Sequence, residues 1–228
     1  LEGFRERYPK EAYYSMMNLV SSHDVPRIMT ALSKPMDTDD RDIQREFKVS
    51  SQDYDTVSAL ARMAFAFQTC YIGASCIYYG DEVLMEGYKD PFNRRTYPWN
   101  KLDLKQQEAL LYFKRIARIR TENACLRTGY YETLMAEGGA MAFVRYLKEG
   151  RDAFGNEATG SRGIVFVMNR SDKPLYVDVT EHYGSYSCRK SVDDGIIQPL
   201  SEQFILGGIL GGTRKVAIKP FGTAFLVY

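Results

Sequence analysis

Met17-Asn18-Leu19-Val20-Ser21-Ser22-His23-Asp24-Val25-Pro26-Arg27 is the stretch from which the architecture can be read. An apolar run leads into a His-Asp pair and then a proline. The pattern predicts a buried strand over 15–20 that ends at a polar turn. An imidazole and a carboxylate then stand at the strand's tip. Active sites of parallel α/β barrels are built at such strand ends.

On either side of it the chain alternates. Residues 1–14 read as a polar or helical lead-in, and 34–56 as a polar loop rich in Asp and Arg. Leu60, Ala64, Phe67 and Tyr71 recur at helical spacing. Ala61, Met63, Phe65 and Ala66 fill the other faces, so a helix over 58–71 is expected to be buried almost all round. Gly73 ends it. Ser75 to Tyr79 reads as a second short apolar strand, closed by Gly80-Asp81-Glu82. Asp103 with Gln106 three residues on forms a capping-box pattern. The helix it opens runs to about Thr121, with Ala109, Leu110, Phe113, Ile116 and Ala117 inward. Strand, helix, strand, helix is βα order and implies parallel strands.

Beyond Leu126 the texture changes. Ala140–Lys148, with Met141, Phe143 and Leu147 on one face, reads as a strand. So do Gly163–Met168, Leu175–Val179, Arg214–Ile218 and Thr223–Tyr228. Asp193-Asp194-Gly195 and Gly211-Gly212 punctuate them. Short strands with turn signals and no helical period predict an antiparallel sandwich. The boundary is placed between 126 and 127.

Bulk properties exclude some partners. A net charge of +1 on 228 residues gives no electrostatic case for nucleic acid or an anionic membrane. No apolar run reaches the roughly 18 residues of a membrane span. Cys70, Cys76, Cys125 and Cys188 show neither CxxC spacing nor a zinc pattern and read as free thiols. No cofactor or metal is implied. The 17 tyrosines and 12 phenylalanines suit a large core and also sugar stacking.

Three stretches together resemble the α-amylase superfamily, glycoside hydrolase family 13. Asn18 to Arg27 is similar to the family's fourth signature region, at the end of barrel strand seven. Ile77-Tyr78-Tyr79-Gly80-Asp81-Glu82 resembles strand eight and its exit. Met85-Glu86-Gly87-Tyr88-Lys89-Asp90-Pro91-Phe92-Asn93-Arg94-Arg95-Thr96-Tyr97-Pro98-Trp99 resembles the loop after strand eight in the neopullulanase, cyclomaltodextrinase and maltogenic amylase branch. The resemblance implies the C-terminal part of a (β/α)8 barrel over 1–126, with strands seven and eight. An antiparallel β-sandwich domain follows over 127–228.

It also implies roles. Asp24 is expected to be the carboxylate that stabilises the transition state, and His23 to bind sugar hydroxyls. Asp90 and Arg94 are expected to position the substrate. Arg27 reads as a structural salt-bridge partner near the site, and Asp81 and Glu82 as loop-shaping. Retaining glycoside hydrolysis needs two carboxyl groups, a nucleophile and an acid. Nothing before Asn18 resembles the family's Arg-x-Asp or Glu-bearing motifs. The expectation is therefore a C-terminal fragment of an α-glucan hydrolase that is inactive alone. The alternative is a non-catalytic glucan-binding or assembly module. The resemblance further implies an α-glucan or maltooligosaccharide substrate; a bacterial cytoplasmic setting is expected ahead of a secreted one. With only two barrel strands, unpaired edges and an exposed apolar face on the helix at 58–71 predict a two-fold homodimer.

Other signals are set aside. Asp37-Thr38-Asp39-Asp40-Arg41-Asp42 lacks the glycine and glutamate of a calcium loop. Gly207 to Thr213 lacks the lysine of a phosphate loop and reads as a hairpin turn. Asn169-Arg170-Ser171 is a glycosylation sequon without a secretory context. His182 reads as exposed.

Overall fold

A computed structural model describes residues 2–178, 190–192 and 215–227. Cys188, His182, Arg214 and the turns expected at 193–195 and 207–213 lie outside the described residues. The chain packs as two compact units. One comprises 1–69 with 73–118, and the other 70–72 with 119–228.

The first unit is mainly helical: α1 (Glu2–Arg7), α2 (Lys10–Ser15), α3 (Ile28–Leu32), α4 (Arg41–Glu46), α5 (Tyr54–Cys70) and most of α6 (Leu104–Glu122). Strands β1 (Met17–Asn18) and β2 (Ala74–Ser75) pair in parallel, as the βα order requires. Both are shorter than expected. Cys76–Tyr79 is irregular, and Met17 and Leu19 are exposed. Among the described residues each strand has one hydrogen-bonded neighbour, so one edge of β1 has no strand beside it. Gly73 makes the tight entry to β2. Its φ is +111°, and a Cβ there would lie 2.5 Å from the Met16 carbonyl oxygen.

Residues 34–56 are not wholly a loop. Asp40 Oδ1 accepts from the Asp42 and Ile43 amides at 2.9 and 3.3 Å and so caps α4. The acids that mimicked a calcium loop serve this cap and exposed ion pairs, Asp42 with Arg45 and Asp37 with Lys89. The expected capping box is present on α6. Gln106 N donates to Asp103 Oδ1 at 2.8 Å, and Asp103 N to Gln106 Oε1 at 3.2 Å.

From Val57 to Cys70, α5 has no exposed residue. Phe65 stacks on Phe113 of α6 with ring centroids 3.9 Å apart. Val57 and Ala61 join Met29, Val49, Leu84 and Ala109 in one core cluster. The broad apolar patch expected on this helix is thus absent, because α6 and the loops at 47–49 and 83–85 cover it.

The second unit holds α7 (Ala124–Thr128), β3 (Tyr130–Glu137), β4 (Ala140–Tyr146), β5 (Gly163–Asn169), β6 (Leu175–Asp178), β7 (Lys190–Val192), β8 (Lys215–Ile218) and β9 (Gly222–Val227). Five strands form an antiparallel sheet in the order β3-β4-β5-β9-β7, and β6 pairs antiparallel with β8. Ala142, Val144, Val165, Val167, Ala224 and Leu226 cluster with Ile218 of β8, and Leu175 of β6 packs on them. The opposite face of β4 is buried too. Phe143, Phe166 and Phe225 are fully buried, their centroids 5.1 and 5.4 Å apart in sequence. The one-sided alternation expected for β4 therefore does not hold; it is a central strand covered on both faces.

Arg145, also on β4, is fully buried. Its guanidinium donates to the carbonyls of Cys70, Leu126, Gly129 and Tyr130 at 3.0–3.3 Å. Helix-end carbonyls carry partial negative charge and can hold a cation. Cys70 and Cys125 are buried free thiols; burial pushes Cys125 up to about 11 and raises Cys70 further. Buried protonated thiols of this kind are unreactive packing groups. Among the described residues no helix is long and apolar enough to cross a membrane.

Candidate functional site

The turn after β1 is anchored by buried polar groups. Ser21, itself buried, accepts from the Ile28 amide at 3.1 Å and donates to Asp81. Arg27 donates to the Tyr79 carbonyl at 2.6 Å and to Asp81 Oδ1 at 3.3 Å. Its guanidinium lies over the edge-to-face pair of Tyr78 and Tyr79, 4.6 and 4.7 Å from their centroids. The Arg27 amide bonds to the Gly87 carbonyl at 3.0 Å. Arg27 and Asp81 thus form the structural pair that the sequence suggested for Arg27. Burial pushes the Asp81 carboxyl up to about 6, against the pull of Ser21 and Arg27. Glu82 shapes the loop as well, accepting from the Gly80 amide at 2.7 Å.

His23 and Asp24 rise from this anchored base into solvent. His23 Nε2 lies 3.1 Å from Asp24 Oδ1, with side chains 59% and 71% exposed. The Asp24 amide bonds to Ser22 Oγ at 3.1 Å, which fixes the turn.

The loop after β2 meets the same turn. Arg94 Nε pairs with Asp90 Oδ1 at 2.7 Å, and its Nη2 donates to the His23 carbonyl at 3.3 Å. Asn93, fully buried, donates to the carbonyls of His23 and Val25 at 2.8 and 2.9 Å. His23, Asp24, Asp90 and Arg94 are therefore gathered in one patch on one unit. Such a patch offers an imidazole, two carboxylates and a guanidinium fork, a set suited to hydrogen-bonding neighbouring hydroxyls. Among the described residues no cluster of His, Cys, Asp or Glu could hold a metal ion.

Sequence reasoning missed Ser21 and Asn93. Each works through a contact tens of residues away, and neither residue type signals that by itself. A buried carboxylate beside Gly80 did carry a trace, since Asp81 stands in an apolar stretch and requires a partner.

No family model matches the chain. It is 38% identical over 181 residues to the amylopullulanase of Thermoanaerobacter thermohydrosulfuricus, a match that covers 79% of this chain and 12% of that protein. It is 32% identical over 142 residues to a cyclomaltodextrinase of a Bacillus species, covering 62% of this chain and 21% of the relative. The structure aligns with the Nostoc punctiforme debranching enzyme at a TM-score of 0.67 and 20% identity, over 100% of this chain and 36% of that one. The chain thus spans well under two thirds of each of these proteins. Within that span, the matches and the strand-end motifs agree, and the chain is a homologue of part of the amylopullulanases, cyclomaltodextrinases and neopullulanases.

Proposed function

We propose that the chain is the C-terminal part of a retaining α-glucan hydrolase. In this reading 1–126 contributes strands seven and eight of a (β/α)8 barrel, and 127–228 is its β-sandwich domain. The observation that carries it is the joining of two loops: Arg94 of the second bonds to His23 of the first at 3.3 Å, beside the exposed Asp24 carboxylate. The names of the relatives support an α-1,4- or α-1,6-glucan as substrate.

Asp24 is assigned the charge that develops on the sugar ring. An ionised carboxylate there stabilises an oxocarbenium-like transition state more than the ground state. His23 holds sugar hydroxyls, and Asp90 with Arg94 forms an outer subsite. The nucleophile and the acid are assigned to a part of the protein outside this sequence, so the 228-residue chain alone turns over no substrate. In the full-length enzyme, Asp24→Asn should lower kcat by several orders of magnitude and change KM far less. A variant with near-normal kcat would remove Asp24 from this role.

For the 228-residue chain alone the homodimer is retained on one of its two grounds, the unpaired strand edges, since the apolar face of α5 is covered. The strand pair β1–β2 is the support, with Met17, Leu19 and Ile77 exposed at 61%, 44% and 40% beside it. Sedimentation at micromolar concentration tests it, and a clean monomer refutes it. A cytoplasmic setting is part of the same proposal, to be checked by fractionation of the source cells.

A further inference from the structure

Trp99 is the chain's single tryptophan, and it is 80% exposed. Its indole leans on Tyr97, with centroids 4.8 Å apart and planes at 52°. An indole held out in water by a neighbouring ring keeps one broad face open. That face is electronegative and attracts the weakly positive C–H groups that line one side of a pyranose ring.

Pro98, next to Trp99 in the chain, is part of the wall of a cavity of about 540 Å³. The Trp99 Cα is therefore within about 3.8 Å of a wall residue's Cα. Lys48, Tyr54, Glu86, Thr96 and Gln106 also line the cavity. Its size falls within the range that holds small ligands.

The lining is mostly polar, with Leu84, Met85 and Pro98 as its apolar part, and its hydrogen-bonding capacity is not used up. Glu86 is nearly buried; one oxygen accepts from the Val49 amide at 2.9 Å and the other meets Lys48 Nζ at 3.1 Å. Each carboxylate oxygen retains a lone pair. Gln106 accepts through Oε1 from Asp103, and its amide NH2 donates to no described residue. The hydroxyls of Tyr54 and Thr96 likewise bond to no described residue. Burial, then the charges of Asp103 and Glu86, raise the Tyr54 hydroxyl above its ordinary value, so it stays a donor. Donors and acceptors both face the space, and Trp99 follows one of its wall residues in the chain. Apolar partners, which need a dry wall, fit it poorly. A polyhydroxylated ring fits it well.

We propose that this cavity and Trp99 form a glucan-holding site that takes a short α-linked glucose segment, one ring stacked on the indole and its neighbour's hydroxyls bonded in the cavity. The proposal shares its ligand class with the proposed function. It uses none of His23, Asp24, Asp90 or Arg94.

Tryptophan emission of the 228-residue chain, excited at the red edge where its 17 tyrosines do not absorb, reports on Trp99 alone, and maltoheptaose is the probe. A saturable change in emission is expected. Tyr54→Phe combined with Gln106→Ala should raise the half-saturating concentration about tenfold, the worth of two uncharged hydrogen bonds. Trp99→Ala, a change at an exposed position, should weaken binding in calorimetry while leaving the melting temperature unaltered. The site is overturned by no emission change at millimolar maltoheptaose, by a change indifferent to the cavity variant, or by one abolished by Asp90→Ala alone. The last assigns the binding to the Asp90–Arg94 subsite and leaves the proposed function standing. Binding of a protein but not of maltoheptaose at Trp99 also overturns it.

Discussion

Arg27 Nη1 lies 3.3 Å from Asp81 Oδ1, and the two side chains are 0% and 3% exposed. This ion pair ties the turn that bears His23 and Asp24 to the exit of β2. A buried pair of this kind gains little net stability over an apolar replacement of both partners. Breaking it from one side is costly, because one charge stays behind in a dry site.

Arg27→Met should therefore lower the unfolding free energy by about 3 kcal/mol. Stacking against Tyr78 and Tyr79 is also weakened. Chemical denaturation measures it. Unchanged stability would mean that the pair does not hold the turn.

Asp81 should leave a mark on the pH dependence of stability. Its folded value is about 6, against an unfolded value of about 3.9. Between these the folded chain binds more protons than the unfolded one, so stability falls as pH rises. The contribution, about 3 kcal/mol, is fully present below about pH 4 and lost above about pH 6. Melting temperatures across that window, wild type minus Asp81→Asn, should show this slope. A flat difference would contradict the burial argument.

Asp90→Ala and Arg94→Ala should barely affect folding. The pair is about half exposed, and exposed pairs contribute at most about 1 kcal/mol. In the full-length enzyme both should weaken longer maltooligosaccharides more than short ones, because only long chains reach an outer subsite. Equal losses in kcat/KM at every length would make the pair a loop brace.

Asn169→Asp should destabilise the second unit by about 2 kcal/mol or more at neutral pH. Asn169 is fully buried, and its amide donates to the carbonyls of Lys173 and Lys219 at 2.7 and 3.0 Å. A carboxylate would face those oxygens without protons to share. The penalty should shrink near pH 4 in thermal melts. The same burial leaves the Asn169 sequon no room for a glycan.

Local codes were legible and distant ones were not. The capping box of Asp103 and Gln106 and the apolar period of α5 are written within a few residues of where they act. Helix α4 was overlooked because Arg41–Glu46 is almost wholly polar; its cap, Asp40, was read among the false calcium ligands. Strand β3 was overlooked because Glu132 and Thr133 interrupt its apolar pattern and its register shifts between Thr133 and Met135. At the site, His23, Asp24, Asp90 and Arg94 were found through motif resemblance. Ser21, Asn93 and the Arg27–Asp81 pair gain their meaning only when chain segments 54 to 70 residues apart meet. The covering of α5 was misjudged for the same reason, since its neighbours are set by tertiary packing.

The Asn93 amide bears on how this region can be re-engineered. Two carbonyls of the His23–Asp24 turn are satisfied by a side chain carried on the other loop. The two loops are thus not interchangeable cassettes. A graft that imported a foreign segment over 90–94 without this asparagine would strip both carbonyls of the bonds it makes to them, and would relax the turn it never touched in sequence. Libraries aimed at substrate preference should keep position 93 fixed and diversify around it.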